Sequence, residues 1–237
     1  MPEHIAKAFD ADLEELTRMV AEMGGLAEKS VADAVDALVT RDADLAAEVV
    51  GRDAAIDALQ REIEDRAILT IARRQPMAVD LREVVAALRI SNDLERIGDL
   101  AKNIAKRVNQ LTDDLPPQTI IRGMEHMSAL VLGQLKQVLD SYATRNLSIA
   151  LTVWEGDEEV DSLCTSLFRE ILTYMAEDPR SIGRGIHMMF SAKNIERMGD
   201  HATNIAETVH YMVEGRPLVT ERPKGDTTAF VSAPGQS

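Results

Sequence analysis

Two segments of this chain repeat each other at a fixed distance, and polar residues keep their places in both. Residues 92–105 and 193–206 align without a gap, 101 positions apart (196 − 95 = 101), and agree at eight positions. The identical pairs are Glu95/Glu196, Arg96/Arg197, Gly98/Gly199, Asp99/Asp200, Ala101/Ala202, Asn103/Asn204, Ile104/Ile205 and Ala105/Ala206. Chance similarity between helices rarely keeps polar identities at fixed spacing, so we predict an internal duplication.

A weaker match extends the repeat upstream, where residues 53–59 resemble residues 157–163 at a separation of 104 positions (157 − 53 = 104). Each half of the chain therefore carries two acidic motifs. One is Asp-x-x-x-Asp in the upstream match, and the other is Glu-x-x-x-Asp in the stronger match.

Apolar residues recur at helical spacing through almost the whole chain, and prolines mark the breaks. Before Pro116 and Pro117, the predicted helices are residues 5–39, a second helix that follows residue 40 or 42 and ends at residue 73, and residues 79–111. After the two prolines they are residues 119–144, 147–176 and 182–214. Thr40 or Asp42 is expected to cap the second helix, and Ser181 the sixth. Gly24 and Gly25 are expected to weaken the middle of the first helix.

Long helices joined by short loops pack antiparallel. The expected fold is therefore all-α, with two tandem antiparallel three-helix bundles related by internal duplication. We predict the first bundle at residues 1–115 and the second at residues 116–217. The tail at residues 218–237 is rich in Pro, Gly, Thr and Ser and is expected to be disordered.

Composition excludes several classes of function. The net charge of −14 argues against nucleic acid and anionic membrane as partners, because a protein that binds either one needs a positively charged surface. Cys164 is the only cysteine, so a disulfide within the chain is impossible; it is expected to be buried in a reducing compartment. The first 16 residues contain no apolar signal region, and no stretch is apolar enough for direct membrane insertion. We expect a cytoplasmic protein.

The acidic motifs form lines of oxygen atoms, because residues four apart on a helix share one face. Like charges at this spacing repel, and a bound cation is one way to offset that repulsion. The candidate metal ligands are Asp53, Asp57, Glu95, Asp99 and Asn103 in the first half, and Asp157, Asp161, Glu196, Asp200 and Asn204 in the second. A solvated acidic face is the other interpretation. Arg96 and Arg197 are interpreted as ion-pair partners or docking residues.

These residues resemble the paired signatures of the PhoU family. The resemblance rests on residues 95–99 and 196–205, with Arg74-Gln75-Pro76 and Asp80-Leu81-Arg82 as further matches, and it covers residues 5–217. It implies a cytoplasmic, non-catalytic negative regulator of phosphate uptake and phosphate-regulon signalling. Such a protein would link the ATPase of a phosphate ABC transporter to a sensor histidine kinase, peripheral to the inner membrane, and a homodimer is expected.

The resemblance also implies that the acidic motifs bind cations, with iron, zinc, manganese or magnesium as possible metals. Asp93 aligns with Asn194, and this one-charge difference between the halves argues against equal metal occupancy.

Rival functions fit less well. A ferritin-like di-iron protein with a storage or redox role needs Glu-x-x-His on two helices. This chain has one such match at residues 207–210, and residues 106–109 of the first half carry no ligands. No Gly-rich phosphate loop and no Gly-x-Ser-x-Gly elbow occurs. A metal-free helical adaptor remains open, as does an amphipathic lipid-binding bundle, although the negative charge opposes the latter.

Overall fold

The computed structural model describes residues 2–111 and 116–218. Over these ranges the chain forms seven α-helices and one short 3-10 turn, and it contains no β-strand. The helices are α1 (Pro2–Thr40), α2 (Ala43–Arg74), α3 (Val79–Val108), α4 (Gln118–Thr144), α5 (Leu147–Glu155), α6 (Asp157–Glu177) and α7 (Ile182–Glu214), with the 3-10 turn at Pro179–Ser181. The all-α prediction is confirmed. The predicted boundary at residues 115–116 lies at the edge of the described residues. The predicted tail lies outside them, apart from Leu218.

The helix ends follow local capping chemistry, but one predicted cap is wrong. Asp42 caps α2, since its carboxylate accepts a hydrogen bond from the Leu45 amide at 2.9 Å. Gly215 ends α7 with a φ of 74°, a left-handed conformation that glycine adopts without strain. Ser181 precedes α7 but does not cap it. Its hydroxyl instead donates backward to the carbonyl oxygen of Asp178 at 2.7 Å, which fixes the preceding turn.

The predicted fifth helix at 147–176 is two helices, α5 and α6, separated at Gly156. The Gly156 carbonyl oxygen accepts a hydrogen bond from Gln134 Nε2 of α4 at 3.0 Å. Glycine has a low helix propensity, so the chain resists little when a donor from another helix binds its carbonyl oxygen. The chain restarts at once with Asp157, Glu158 and Glu159, whose charges favour the first turn of a helix.

The helices pack as two bundles that share one apolar core. Helices α1, α2 and α3 form the first bundle, and α4, α5, α6 and α7 form the second. The bundles meet where α3 packs on α7 and α1 packs on α4. Leu, Ile, Val, Met and Ala fill the core, and Cys164 is buried within it as predicted.

Helices α3 and α7, which carry the stronger match of the repeat, run antiparallel to each other. Three side-chain contacts fix this register: Arg107 with His187, Asp93 with His201, and Arg82 with the Met212 carbonyl oxygen. The two copies of the repeat are therefore joined along their equivalent helices. Over the described part of the chain, no helix is both long enough and apolar enough to cross a lipid bilayer.

Candidate functional site: two acidic helix crossings

Each repeat contains a close crossing between two helices, and a glycine lies at its centre. A Cβ atom placed on Gly98 of α3 would lie 2.8 Å from Ile56 Cδ1 of α2. A Cβ atom placed on Gly199 of α7 would lie 3.6 Å from Val160 Cγ1 of α6. Ile56 and Val160 are equivalent in the upstream match (160 − 56 = 104). Both crossings thus place a glycine against the equivalent residue of the neighbouring helix, but only at Gly98 is the approach too close for a Cβ atom.

Acidic residues border both crossings, because Asp53 and Asp57 lie on either side of Ile56, and Asp157 and Asp161 lie on either side of Val160. We call these regions the first and the second acidic crossing. The first comprises Asp53, Asp57, Glu95 and Asp99, and the second comprises Asp157, Asp161, Glu196 and Asp200.

In the first acidic crossing a lysine ammonium group bridges carboxylates of two helices. Lys102 of α3 donates hydrogen bonds to Asp53 of α2 and, at 2.8 Å, to Asp99 of its own helix. The Lys102 side chain is 22% exposed and that of Asp53 is 12% exposed, so water screens this contact only in part. The hydrogen bond to Asp53, and then that to Asp99, raise the pKa of Lys102.

The charges of the other carboxylates in the first acidic crossing shift the pKa of Glu95. Burial raises the pKa of Glu95 above its ordinary value, and the neighbouring Arg96 opposes that shift. The negative charges of Asp99, Asp57 and Asp53 raise the pKa of Glu95 further. The four predicted carboxylates therefore share one electrostatic environment.

The second acidic crossing is more deeply buried. Asp157, Asp161 and Glu196 are 2%, 3% and 4% exposed, and Asp200 is half-buried. Lys193 donates to Glu196 Oε1 at 2.9 Å, and the Thr203 hydroxyl donates to Asp157 Oδ1 at 3.2 Å. The two crossings match in their carboxylates but differ in the groups that bind those carboxylates.

The remaining predicted site residues lie away from the carboxylates or on the surface. Asn204 turns toward the first repeat, where its amide donates to Asp93 Oδ1 at 3.5 Å. Asn103 is exposed, as are the predicted docking residues Arg96 and Arg197. Arg96 lies within ion-pair distance of Glu95 and Asp99, at 3.4 and 4.0 Å. A ligand role for the asparagines and a docking role for the arginines stay predictions.

Sequence reasoning missed the polar link between the repeats and the lysine in the first acidic crossing. Asp93 Oδ1 lies 2.9 Å from His201 Nδ1, across the α3–α7 interface. His201 and Lys102 stand at positions where the two copies of the repeat differ, and that difference is the sequence signal that could have identified them. His201 aligns with Leu100, and Lys102 aligns with Thr203.

The chemistry of the site fits a cation unequally in the two halves. In the described ranges, no three side chains of His, Cys, Asp and Glu are arranged to hold a metal ion. In the first acidic crossing, the Lys102 ammonium occupies the space between Asp53 and Asp99 that a cation would take. The second crossing offers carboxylate and hydroxyl oxygens, which suit hard cations.

Comparison with known proteins gives the same duplication. A family model described as the PhoU domain matches residues 20–108 and again residues 124–209. Each match contains one acidic crossing. Two tandem PhoU domains define the class of this chain.

Similarity to curated proteins extends over almost the whole length. The chain is 55% identical to the phosphate-specific transport system accessory protein PhoU homolog of Rhizobium meliloti (strain 1021), over 97% of both chains. It is 52% identical to the protein of the same name from Caulobacter vibrioides (strain NA1000 / CB15N), over 95% of this chain and 98% of that one. The chain belongs to the PhoU family.

Solved structures agree with this assignment. The crystal structure of PhoU from Pseudomonas aeruginosa has a TM-score of 0.82 at 39% identity, covering 88% of this chain and all of that one (100%). The phosphate transport system regulatory protein PhoU from Streptococcus pneumoniae has a TM-score of 0.82 at 29% identity, covering 90% of this chain.

Proposed function

We propose that this chain is the accessory protein of a phosphate-specific transport system and acts as a negative regulator of phosphate uptake and phosphate-regulon signalling. The observation that carries the proposal is its 55% identity, over 97% of both chains, to a protein named as such an accessory protein. We place it in the cytoplasm, peripheral to the inner membrane through its partners. In this role it binds other proteins and catalyses no reaction.

The adaptor function requires two partners, the transporter ATPase and a sensor histidine kinase, and the duplicated fold supports it with two related surfaces. Arg96 and Arg197 occupy equivalent exposed positions beside the two acidic crossings. An exposed guanidinium group binds a carboxylate in a bidentate way, which fixes the orientation of a partner. The net charge of −14 steers association with basic partner surfaces. Homodimer formation stays a prediction.

Partner capture tests this proposal. The immobilised chain is exposed to membrane extracts from phosphate-rich and phosphate-starved cells, and captured proteins are identified by mass spectrometry. We expect the phosphate-transporter ATPase and a histidine kinase, with weaker capture by the variants Arg96→Ala and Arg197→Ala. Arg61→Ala, which removes an exposed arginine of α2, is the matched control. Recovery of neither partner from either extract would overturn the adaptor function.

We also propose cation binding at the second acidic crossing. Three carboxylates with at most 4% exposure lie there beside the Thr203 hydroxyl, and carboxylate and hydroxyl oxygens suit hard cations. Elemental analysis of protein purified without chelator tests this proposal. About one equivalent of iron, zinc, manganese or magnesium is expected, and it should disappear in the variant Asp161→Asn. Binding that persists unchanged in that variant would place the cation elsewhere.

A ferritin-like storage or redox function has less support. The residues of the single Glu-x-x-His match serve other contacts. Glu207 Oε1 accepts a hydrogen bond from the Trp154 indole at 3.2 Å, and His210 Nδ1 lies 3.1 Å from the Arg216 carbonyl oxygen. The two side chains are thus engaged with different parts of the second repeat.

A further inference from the structure

We propose that Lys102 is the built-in cation of the first acidic crossing and that its ammonium group keeps metal ions out of the first repeat. The proposal deepens the cation-binding part of the proposed function. It makes the two repeats unequal: an ammonium group lies between carboxylates of two helices in the first acidic crossing, and the aligned position of the second crossing carries a threonine.

The contacts of Lys102 are those expected of a bridging cation. Its Nζ atom binds Asp53 of α2 and Asp99 of α3, so one positive group joins carboxylates from the two helices that cross at Gly98. Lys102 lies three residues after Asp99 on the same helix, and this spacing holds the ammonium group against that carboxylate. A lysine ammonium has three donors and no acceptor, so it can serve more than one carboxylate at once.

Position 102 has a true counterpart in the second repeat. Thr203 is the aligned residue, and it contacts Asp157, which is the aligned counterpart of Asp53. The same geometric position therefore reaches the same carboxylate in both repeats. In the first repeat that position supplies a positive charge, and in the second it supplies a neutral hydroxyl donor.

A metal ion and the Lys102 ammonium group cannot share the first acidic crossing. Both would need the same oxygens of Asp53 and Asp99. Two positive charges a few Å apart in a partly buried site also repel each other strongly. A threonine at position 102 would instead remove the ammonium charge between Asp53 and Asp99 and leave the four carboxylates of the crossing in place, with Arg96 still 3.4 Å from Glu95 Oε2.

The test is a reciprocal substitution read by manganese binding. Full-length chain, stripped of metal, is titrated with Mn²⁺, and free Mn²⁺ is counted by electron paramagnetic resonance. We expect Lys102→Thr to bind about one equivalent more than the parent chain, since carboxylate oxygens suit this ion. Adding Asp53→Asn to that variant should abolish the gain. Lys106→Thr, an exposed lysine one turn further along α3, removes the same charge and should bind like the parent chain.

Three results would overturn the proposal. The first is a folded Lys102→Thr chain with no gain of Mn²⁺. The second is an equal gain in Lys106→Thr. The third is a parent chain that already loses Mn²⁺ on Asp53→Asn. Circular dichroism checks folding, and Lys102→Met, measured in the same way, replaces the threonine variant if the latter does not fold.

The outcome of the Mn²⁺ titration does not depend on whether the proposed function is correct. Because the gain is a difference from the parent chain, it is measurable even if the second acidic crossing binds no metal. Partner capture is unaffected by the outcome, so failure of the adaptor function and failure of this inference are distinguishable. A rise in melting temperature with Mn²⁺ in Lys102→Thr, larger than in the parent chain, gives a second readout of the new site.

Discussion

Asp93 of α3 and His201 of α7 meet across the interface of the two repeats, with Asp93 Oδ1 2.9 Å from His201 Nδ1. Asp93 is 9% exposed and also accepts a hydrogen bond from Asn204. The aligned residues, Asn194 and Leu100, cannot reproduce this pair. The repeats are thus joined by a polar contact that exists in one copy and fixes the register of α3 on α7.

Removing the Asp93 carboxylate should destabilise the contact between repeats. Asp93→Ala leaves the His201 ring and the Asn204 amide without their acceptor, and we expect the free energy of unfolding to fall by about 1–3 kcal/mol. Urea unfolding followed by circular dichroism measures this. Asp36→Ala, an exposed aspartate of α1, is the control and should change stability by less than about 0.5 kcal/mol. A double-mutant cycle with His201→Leu should show coupling, and strict additivity would argue against the contact.

The glycine of the first acidic crossing should tolerate a methyl group less well than a glycine on an open helix face. At Gly98 a Cβ atom would lie 2.8 Å from Ile56 Cδ1, whereas at Gly25 nothing lies within 4 Å. Both sites gain the helix propensity of alanine, so Gly98→Ala should be less stable than Gly25→Ala by at least about 1 kcal/mol. Thermal and urea unfolding measure the difference.

Ile56→Val, combined with Gly98→Ala, should recover most of that loss, because it removes the Cδ1 atom. Valine already stands at the equivalent position 160, where the corresponding distance is 3.6 Å. A double variant no more stable than Gly98→Ala would show that the crossing does not limit the space at residue 98.

The carboxyl of Glu95 should oppose folding at neutral pH. Its pKa is raised in the folded chain, chiefly by burial, above the ordinary value of 4.5. The folded state therefore holds this proton to higher pH than the unfolded state, and stability falls as pH rises through the folded pKa. Glu95→Gln should be more stable than the parent chain at neutral pH, and this gain should vanish below pH 4.5.

Urea unfolding at a series of pH values gives the Glu95 comparison. Glu48→Gln, which removes an exposed carboxyl of α2, controls for the loss of one negative charge. A gain of equal size in that variant at all pH values would assign the effect to net charge rather than to the crossing.

Cys164 should report opening of the second bundle. Its side chain is 0% exposed. A thiol reagent should therefore modify the native chain only through opening events, and modification should become fast in denaturant. Absorbance with a chromogenic disulfide reagent follows the rate. Rapid modification of the native chain, as fast as in denaturant, would contradict the buried placement of Cys164.

Sequence predicted the helices well because periodicity and proline breaks are local signals, but it did not show how the glycines pack. The helix α1 continues through Gly24 and Gly25 as its predicted range requires, and Gly24 packs so closely that a Cβ atom would lie 2.5 Å from Leu139 Cδ1 of α4. The expected weakening of α1 stays a prediction. Gly156, which carried no prediction, separates α5 from α6. Tertiary contacts decide these outcomes, since Gln134 binds the carbonyl of one glycine and α4 packs on another.

The candidate site was predictable only in part, for a similar reason. The spacing of Glu95 and Asp99 places both on one face of a helix, which local geometry suffices to show. That Lys102 reaches Asp53 depends on how α2 lies on α3. That His201 faces Asp93 depends on how the repeats meet. Neither register follows from the order of residues along one helix.

The antiparallel pairing of α3 and α7 has a consequence for how such a chain can change. If the two copies were separate, identical chains that met along the same helix, their contact would be two-fold symmetric. Every substitution would then appear on both sides of that contact. Joining the copies in one polypeptide lifts that constraint. An aspartate can then face a histidine in one direction only, and a lysine can occupy one acidic crossing while a threonine occupies the other. The two repeats of a fused chain can therefore acquire different substitutions at equivalent positions.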